Sequence, residues 1–337
     1  MAEPNRTIAG RYELIRMVGR GGFGDVWLGR RQDNGQPVAV KLLAKFDKPN
    51  ATARERFLRE ASTIALLRSP NTVRLYDSGC EPDDTLFMVL EYIDGVNLET
   101  RLQAVGVRGL VPSQAEAIEL GIQVLRSLAE AHKAGIVHRD IKPSNLMLQP
   151  IDSDACMVRV LDFGGARTRQ STLTGVGLAV GTPTYMSPEQ CLGYPVDGRA
   201  DLYALGVLLY RCLAERAPFE GKTGVVVMQH ITQLPPSLAL SARTPVSEAF
   251  VAVVARALAK DPEQRFADAT EMRRALEAAR AGSPDAVGSG LLVPNTASQA
   301  TVSDLLAGAP VVLPTVDAAT LPELELLQAT HKERGRG

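Results

Sequence analysis

The 337 residues provide about two domains' worth of chain, enough for a large buried core without disulfide staples. With 45% apolar and 22% charged residues the composition is that of an ordinary globular protein, and the longest uncharged apolar run, residues 202–210, falls well short of a membrane span. A net charge of −1 provides no whole-molecule attraction for nucleic acid or anionic lipid, so neither is an expected partner. Cys80, Cys156, Cys191 and Cys212 are too far apart for zinc or dithiol motifs and read as core thiols of a reducing compartment. Residues 1–11 show no apolar stretch behind a basic start, so the expected address is the cytoplasm.

Residues 1–11 are expected to be a flexible lead. Short β-rich runs then follow at 12–18, 25–29, 38–43, 73–77 and 86–91, and Asp33-Asn34-Gly35 turns the second into the third as a hairpin. One helix interrupts them, opened by Thr52 with Glu55 three residues on and closed before Pro70. After Gly95 the texture becomes helical. A Ser113-x-x-Glu116 box opens a helix that carries Ile118, Ile122, Leu125 and Leu128 or Ala129 on one face, with Gly135 as its stop. The expected architecture is α+β and bilobal: a small β-rich lobe with one helix over 12–94, and a larger, mainly helical lobe over 95–280. From residue 281 the chain has no aromatic residue and is dotted with Gly, Pro, Ser and Thr, a composition that does not easily offset the entropy of ordering. Residues 281–337 are therefore expected to be mostly disordered; their apolar clusters at 302–306 and 321–327 fit either docking helices or plain linker.

Gly19-x-Gly21-x-x-Gly24-x-Val26 is a loop whose missing side chains let backbone amides approach phosphate oxygens. In a dinucleotide-binding unit such a loop opens a helix. Here residues 25–29 read as strand and run into a hairpin, so the glycines lie at a hairpin bend, over a nucleotide rather than under it. Lys41 then emerges from the buried run Val38-Ala39-Val40, where an ammonium needs an anionic partner. Glu60, inside the lone helix of this lobe, could supply it.

The segment His138-Arg139-Asp140-Ile141-Lys142-Pro143-Ser144-Asn145 is followed by Asp162-Phe163-Gly164. Its seven signature residues would recur by chance about once in 10⁹ placements at uniform composition. Over residues 12–280 the sequence resembles the bacterial eukaryotic-like (Hanks-type) serine/threonine protein kinases. The resemblance implies the bilobal kinase fold, ATP and Mg²⁺ as cofactors, and transfer of the γ-phosphate to Ser/Thr hydroxyls of protein substrates.

By that resemblance Asp140 accepts or orients the substrate hydroxyl proton, and Lys142 lies near the transferred phosphate. Asn145 and Asp162 hold Mg²⁺, while Lys41, fixed by Glu60, grips the α- and β-phosphates. Leu90 takes the gatekeeper position, Glu91, Tyr92 and Ile93 form the hinge, and Val26, Ala39 and Met147 sandwich the adenine. His138 is implied to be a packing residue that stacks with Ile64 and Phe163; Trp27 reads as strand packing. Thr172 or Thr174 is the implied regulatory phosphorylation site, meeting Arg139, with a kinase homodimer as the route to trans-autophosphorylation. Thr182 resembles the threonine that bonds the catalytic Asp and Lys in Ser/Thr-directed kinases. Ser187-Pro188-Glu189 stands where the family has Ala-Pro-Glu, Glu189 is expected to pair with Arg265, and Asp201 to cap the backbone of the catalytic loop. A pseudokinase scaffold is disfavoured because Lys41, Asp140, Asn145 and Asp162 are all present. A small-molecule kinase is disfavoured because such enzymes lack the peptide-binding segment 181–189.

Overall fold

Period-two alternation of apolar side chains builds the first layer of the protein. The computed structural model describes residues 4–21, 24–43, 51–108, 111–152, 155–163 and 183–281. Its first sheet contains β1 (Thr7–Ile8), β2 (Tyr12–Gly21), β3 (Gly24–Arg31), β4 (Pro37–Leu43), β5 (Leu75–Cys80) and β6 (Leu86–Glu91). They pair antiparallel in the order β1-β2-β3-β4-β6-β5. The glycine motif lies at the β2–β3 bend, with Gly21 opposite Gly24. Gly24 has φ +119°, and a Cβ there would run into the Leu42 carbonyl, so the motif's last glycine is demanded by the neighbouring strand. Gly35 at φ +73° closes the β3–β4 turn.

The helix α1 (Ala51–Leu66) lies against this sheet. Phe57 and Ala61, a turn apart, pack with Leu43, Leu86 and Met88, while Ile64 and Leu67 reach into the core of the second lobe. The same face therefore brings Glu60 over β4.

Several sequence expectations are corrected here. The helix begins at Ala51, so Thr52 lies inside it rather than before it. The stretch 1–11 is not all flexible lead: Ile8 is fully buried under the sheet, and Thr7–Ile8 pairs with Tyr12 and Glu13. The run placed at 73–77 becomes a strand at Leu75–Cys80, because Asn71, Thr72 and Val73 bond instead to Val158 and Val160 of the other lobe. Cys156 and Cys212 are core thiols, but Cys80, at the end of an edge strand, is exposed and Cys191 is half-buried.

The second lobe is not purely helical. Between α2 (Leu98–Arg108), α3 (Gln114–Lys133) and the later helices, it holds a three-stranded sheet of β7 (Val96–Asn97), β8 (Leu146–Pro150) and β9 (Cys156–Val160). The sheet escaped periodicity because its strands are at most five residues long. Ser113 caps α3 in a complete capping box with Glu116, and Gly135 at φ +74° follows its end. The run 202–210 lies in α5 (Arg199–Ala214), which is buried along nearly its whole length, as an all-round apolar helix must be. Against it pack α3, α7 (Leu238–Ser241), α8 (Glu248–Ala257) and α9 (Ala269–Ala281), while α4 (Pro188–Leu192) and α6 (Thr223–Thr232) pack on each other. No helix among the described residues is long and apolar enough to cross a membrane. Residues 282–337 lie outside the described residues.

Glu189 at the start of α4 receives both outer nitrogens of the Arg265 guanidinium, at 2.7 and 2.8 Å. Arg265 also donates to the Ala259, Lys260 and Arg199 carbonyls, so a side chain with no exposed surface has its donors occupied. Replacing Glu189 by Ala strands that charge; the expected loss in urea unfolding is about 3–5 kcal/mol.

Candidate active site

Cross-strand register places four of the residues singled out in the sequence on one face of the first sheet. Lys41 and Ala39 are two apart on β4, Val26 is opposite Lys41, and Leu90 is opposite Ala39. From that face the Lys41 ammonium reaches Glu60 Oε1 of α1 at 2.6 Å and Asp162 Oδ1 at 3.2 Å. Burial opposes the ammonium, and the carboxylates of Asp162 and Glu60 more than offset it, holding Lys41 above the ordinary lysine range. Asp162 keeps 40% of its side-chain surface exposed. Burial works against its charge, and Lys41, helped by Lys142, reverses that and holds its carboxyl below the usual range.

Asp140 and Lys142 form the second half of the site, with Lys142 Nζ 2.9 Å from Asp140 Oδ2. Asn145 donates through Nδ2 to the Asp140 carbonyl at 2.8 Å and to its Oδ2 at 3.2 Å. Because Asp162 feels the charge of Lys142, the pairs Lys41–Asp162 and Lys142–Asp140 belong to one electrostatic unit.

The loop that carries Asp140 is held by a single buried carboxylate. Asp201, with no exposed surface, accepts from the backbone N–H of His138 at 2.9 Å, that of Arg139 at 2.7 Å, and His132 Nε2 at 2.8 Å. Gln190 of α4 donates to the Arg139 carbonyl at 2.9 Å. Both nitrogens of the buried His138 ring serve the backbone: Nε2 donates to the Leu161 carbonyl at 2.8 Å, and Nδ1 accepts from the Asp140 amide at 3.2 Å. Its ring meets Phe163 edge-on at 4.7 Å, and Ile64 belongs to the same core. His138 is thus occupied as a packing residue rather than poised as a base.

The donor set fits a hard divalent cation. Asn145 Oδ1 is buried with no hydrogen-bond partner, while its amide nitrogen is fixed on Asp140. An oriented, unspent amide oxygen, on a residue whose backbone carbonyl accepts the amide of Leu161 next to Asp162, suits Mg²⁺, which takes few protein oxygens and completes its shell with water and substrate phosphate. Among the described residues no group of three or more His, Cys, Asp or Glu side chains forms a self-sufficient metal cage.

Glu91, at the end of β6, is joined by Arg159 of β9 at 2.9 Å, and its amide donates to the Arg74 carbonyl. Tyr92 is half-buried and Ile93 enters the core of the second lobe. Met147 is buried in β8 opposite Arg159 and Asn97. Trp27 is packed in the core of the first sheet. Gly164, Thr172, Thr174 and Thr182 lie outside the described residues.

Sequence reading missed the tether between lobes. Asn71 Nδ2 donates to Gln123 Oε1 and to the Val158 carbonyl, Thr72 and Ser127 share a hydroxyl bond, and Glu130 accepts the amides of Arg68 and Ser69. The available signal was polar: Gln123 and Ser127 interrupt an otherwise apolar face of α3, which calls for buried partners.

The arrangement has counterparts in known proteins. The family description "protein kinase domain" matches residues 12–277. A probable serine/threonine-protein kinase of Streptomyces coelicolor is 40% identical over 293 residues, covering 84% of this chain and 42% of that protein. The serine/threonine-protein kinase pkn3 of Myxococcus xanthus is 36% identical over 282 residues, 81% of this chain and 50% of that one. PknJ of Mycobacterium tuberculosis is 39% identical over 276 residues, with shares of 80% and 46%. The chain therefore spans half or less of the length of these relatives. The crystal structure of the Mycobacterium tuberculosis PknI kinase domain matches with a TM-score of 0.63 and 28% identity, over 83% of this chain and all of that one. With the family matched across both lobes and the whole cleft between them, the chain belongs to the protein kinase family.

Proposed function

We propose that this protein is an ATP- and Mg²⁺-dependent kinase that transfers the γ-phosphoryl group of ATP to serine and threonine hydroxyls of proteins. The observation that carries this reading is the Lys41 ammonium between Glu60 and Asp162, with the Lys142–Asp140 pair facing the same charge system. Phosphoryl transfer demands placed charge and a placed nucleophile more than covalent help, and those two pairs supply them.

In this reading Lys41 turns from Asp162 toward the α- and β-phosphates, and Glu60 keeps it aimed. The half-exposed face of Val26, Ala39 and Leu90, with Met147 from the other lobe, encloses the adenine, and Glu91 to Ile93 offer backbone groups to its edge. A bound Mg²⁺ would supply positive charge against the negative charge that develops during transfer. Asn145 and Asp162 offer it oxygens. Asp140 orients the acceptor hydroxyl and takes its proton as the new P–O bond forms and the bond to ADP breaks; Lys142 neutralises the transferred group. The segment 181–189 receives the peptide, and Thr172 or Thr174, phosphorylated by a second copy of the chain, meets Arg139.

Asp162→Asn is expected to reduce phosphate transfer to background with an unchanged melting temperature; persistent labelling removes Asp162 from the metal role. Glu60→Gln should lower kcat/KM for ATP about 10–100-fold while sparing the peptide KM, since it unfixes Lys41 alone. Alanine at both Thr172 and Thr174 should lower peptide phosphorylation. An unchanged rate shows that these hydroxyls are not the switch, and mass spectrometry after incubation with ATP and magnesium identifies the modified sites.

A further inference from the structure

One buried polar chain takes no part in the chemistry above. Tyr203 of α5, His230 of α6 and Phe219 of the connection between them are almost completely buried together. Lys260, between α8 and Arg265, donates through Nζ to the Tyr203 hydroxyl oxygen at 3.3 Å and to the Gln229 carbonyl at 3.3 Å. The Tyr203 hydroxyl lies 2.9 Å from His230 Nδ1, and His230 Nε2 lies 3.1 Å from the Thr184 carbonyl.

The proton positions follow from the end of the chain. A carbonyl only accepts, so Nε2 carries the hydrogen. Nδ1 then accepts from Tyr203, whose oxygen accepts from Lys260. Lys260 serves two acceptors and each later donor one, and the order runs one way from Lys260 to Thr184.

The hydrogen bonds choose the tautomer, and the surroundings of the ring keep it neutral. Lys260 Nζ sits 4.4 Å from the centre of the Phe219 ring and 5.7 Å from that of Tyr203, and the Arg265 guanidinium lies 4.9 Å from the Tyr203 centre. Burial and then the Lys260 charge push His230 down to about 4, so the imidazole stays neutral through the physiological range. Burial and Arg265 push Lys260 down to about 8, with Cys191 acting in the opposite direction. Burial raises Tyr203, which keeps its proton.

The chain ends on the short turn Pro183–Tyr185. Within the turn, the Met186 amide bonds to the Pro183 carbonyl; Arg211 holds the Tyr185 hydroxyl at 2.6 Å, and His230 holds the Thr184 carbonyl. Packing alone would be served as well by apolar side chains, which carry no desolvation cost. A directed polar chain ending on a backbone carbonyl fixes the orientation of one peptide unit.

We propose that His230 is a positioning residue for substrate: the Lys260–Tyr203–His230 chain sets the Thr184 peptide unit, and through it the segment on which the acceptor peptide lies. This rests on the kinase reading of segment 181–189 and adds to it the device that orients that segment.

The test compares full-length His230→Phe, His230→Gln and Tyr203→Phe with wild type, in peptide and ATP kinetics and in amide hydrogen exchange over residues 184–187. Phe removes both bonds of the imidazole; Gln can still donate to Thr184 and accept from Tyr203. Loss of one buried hydrogen bond predicts a peptide KM about tenfold higher in His230→Phe, with the ATP KM within about twofold and exchange faster only in that segment. His230→Gln should bring the peptide KM back to within about threefold of wild type. A folded His230→Phe with wild-type peptide KM and exchange overturns the proposal. So does an equal rise in both KM values with a lowered melting temperature that Gln does not repair, since that is general loosening. If His230→Phe does not fold, Tyr203→Phe decides, being smaller by one hydroxyl: a rise in peptide KM of about threefold supports the chain, and no change overturns it. A wild type that phosphorylates no peptide refutes the kinase reading, while exchange in the variants still shows whether His230 anchors the turn.

Discussion

The Lys41 ammonium is the charge on which the cleft depends. It is carried by the first sheet, held by α1 through Glu60, and drawn across to the second lobe by Asp162. None of the three charges is stable in this setting alone: burial opposes all of them, and the lysine pulls both carboxylates the other way, prevailing at Asp162 while burial keeps Glu60 above its ordinary range. The triad therefore reports on lobe geometry. If α1 moves off the sheet or the lobes part, a buried charge loses its partner. In the proposed function a nucleotide phosphate takes the place of Asp162 at Lys41 and frees that carboxylate for a cation.

The second lobe solves a similar problem with different means. Asp201 and Arg265 are buried charges, and each is saturated: Asp201 by two loop amides and His132, Arg265 by Glu189 and three carbonyls. Both sit on or beside α5, the most deeply buried helix of the lobe. One rigid apolar rod thus presents a carboxylate to the catalytic loop and, through Tyr203, a hydroxyl to the polar chain that ends on Thr184. Charged groups near the cleft keep bonding capacity for ligand, while those beneath it have none to spare.

Much of this was legible in the residues. Leu86–Glu91 has the same bounds in sequence and structure, and the Ser113 box caps its helix, because both are signals of local chemistry. The site constellation was legible for another reason: its residues come in fixed short motifs that reappear over one face of the cleft. What local pattern could not reveal was set by distant partners. Val73 looks like strand but bonds to Val160, Thr7–Ile8 is too short to show a period, and β7 to β9 form a sheet from fragments that no window resolves. His230 was invisible for the same reason, since its meaning lies in Tyr203, Lys260 and Thr184, none of which is near it in sequence.

Of the six non-glycine residues with positive φ among the described residues, two lie where these constraints converge. Arg139 at φ +65° and Asp162 at φ +54° adopt the left-handed region without being glycine, at a cost of about 1–3 kcal/mol each. Arg139 immediately precedes Asp140, and Asp162 itself pairs with Lys41. At Arg139 the cost is offset by bonds on both sides of the residue, its amide to Asp201 and its carbonyl from Gln190. At Asp162 the attraction of Lys41 plays that part. In each case the strained backbone is held by a charged side chain from a separate element, Asp201 at Arg139 and Lys41 at Asp162, whereas the Asp140 carboxylate is met from its own loop by Lys142 and Asn145.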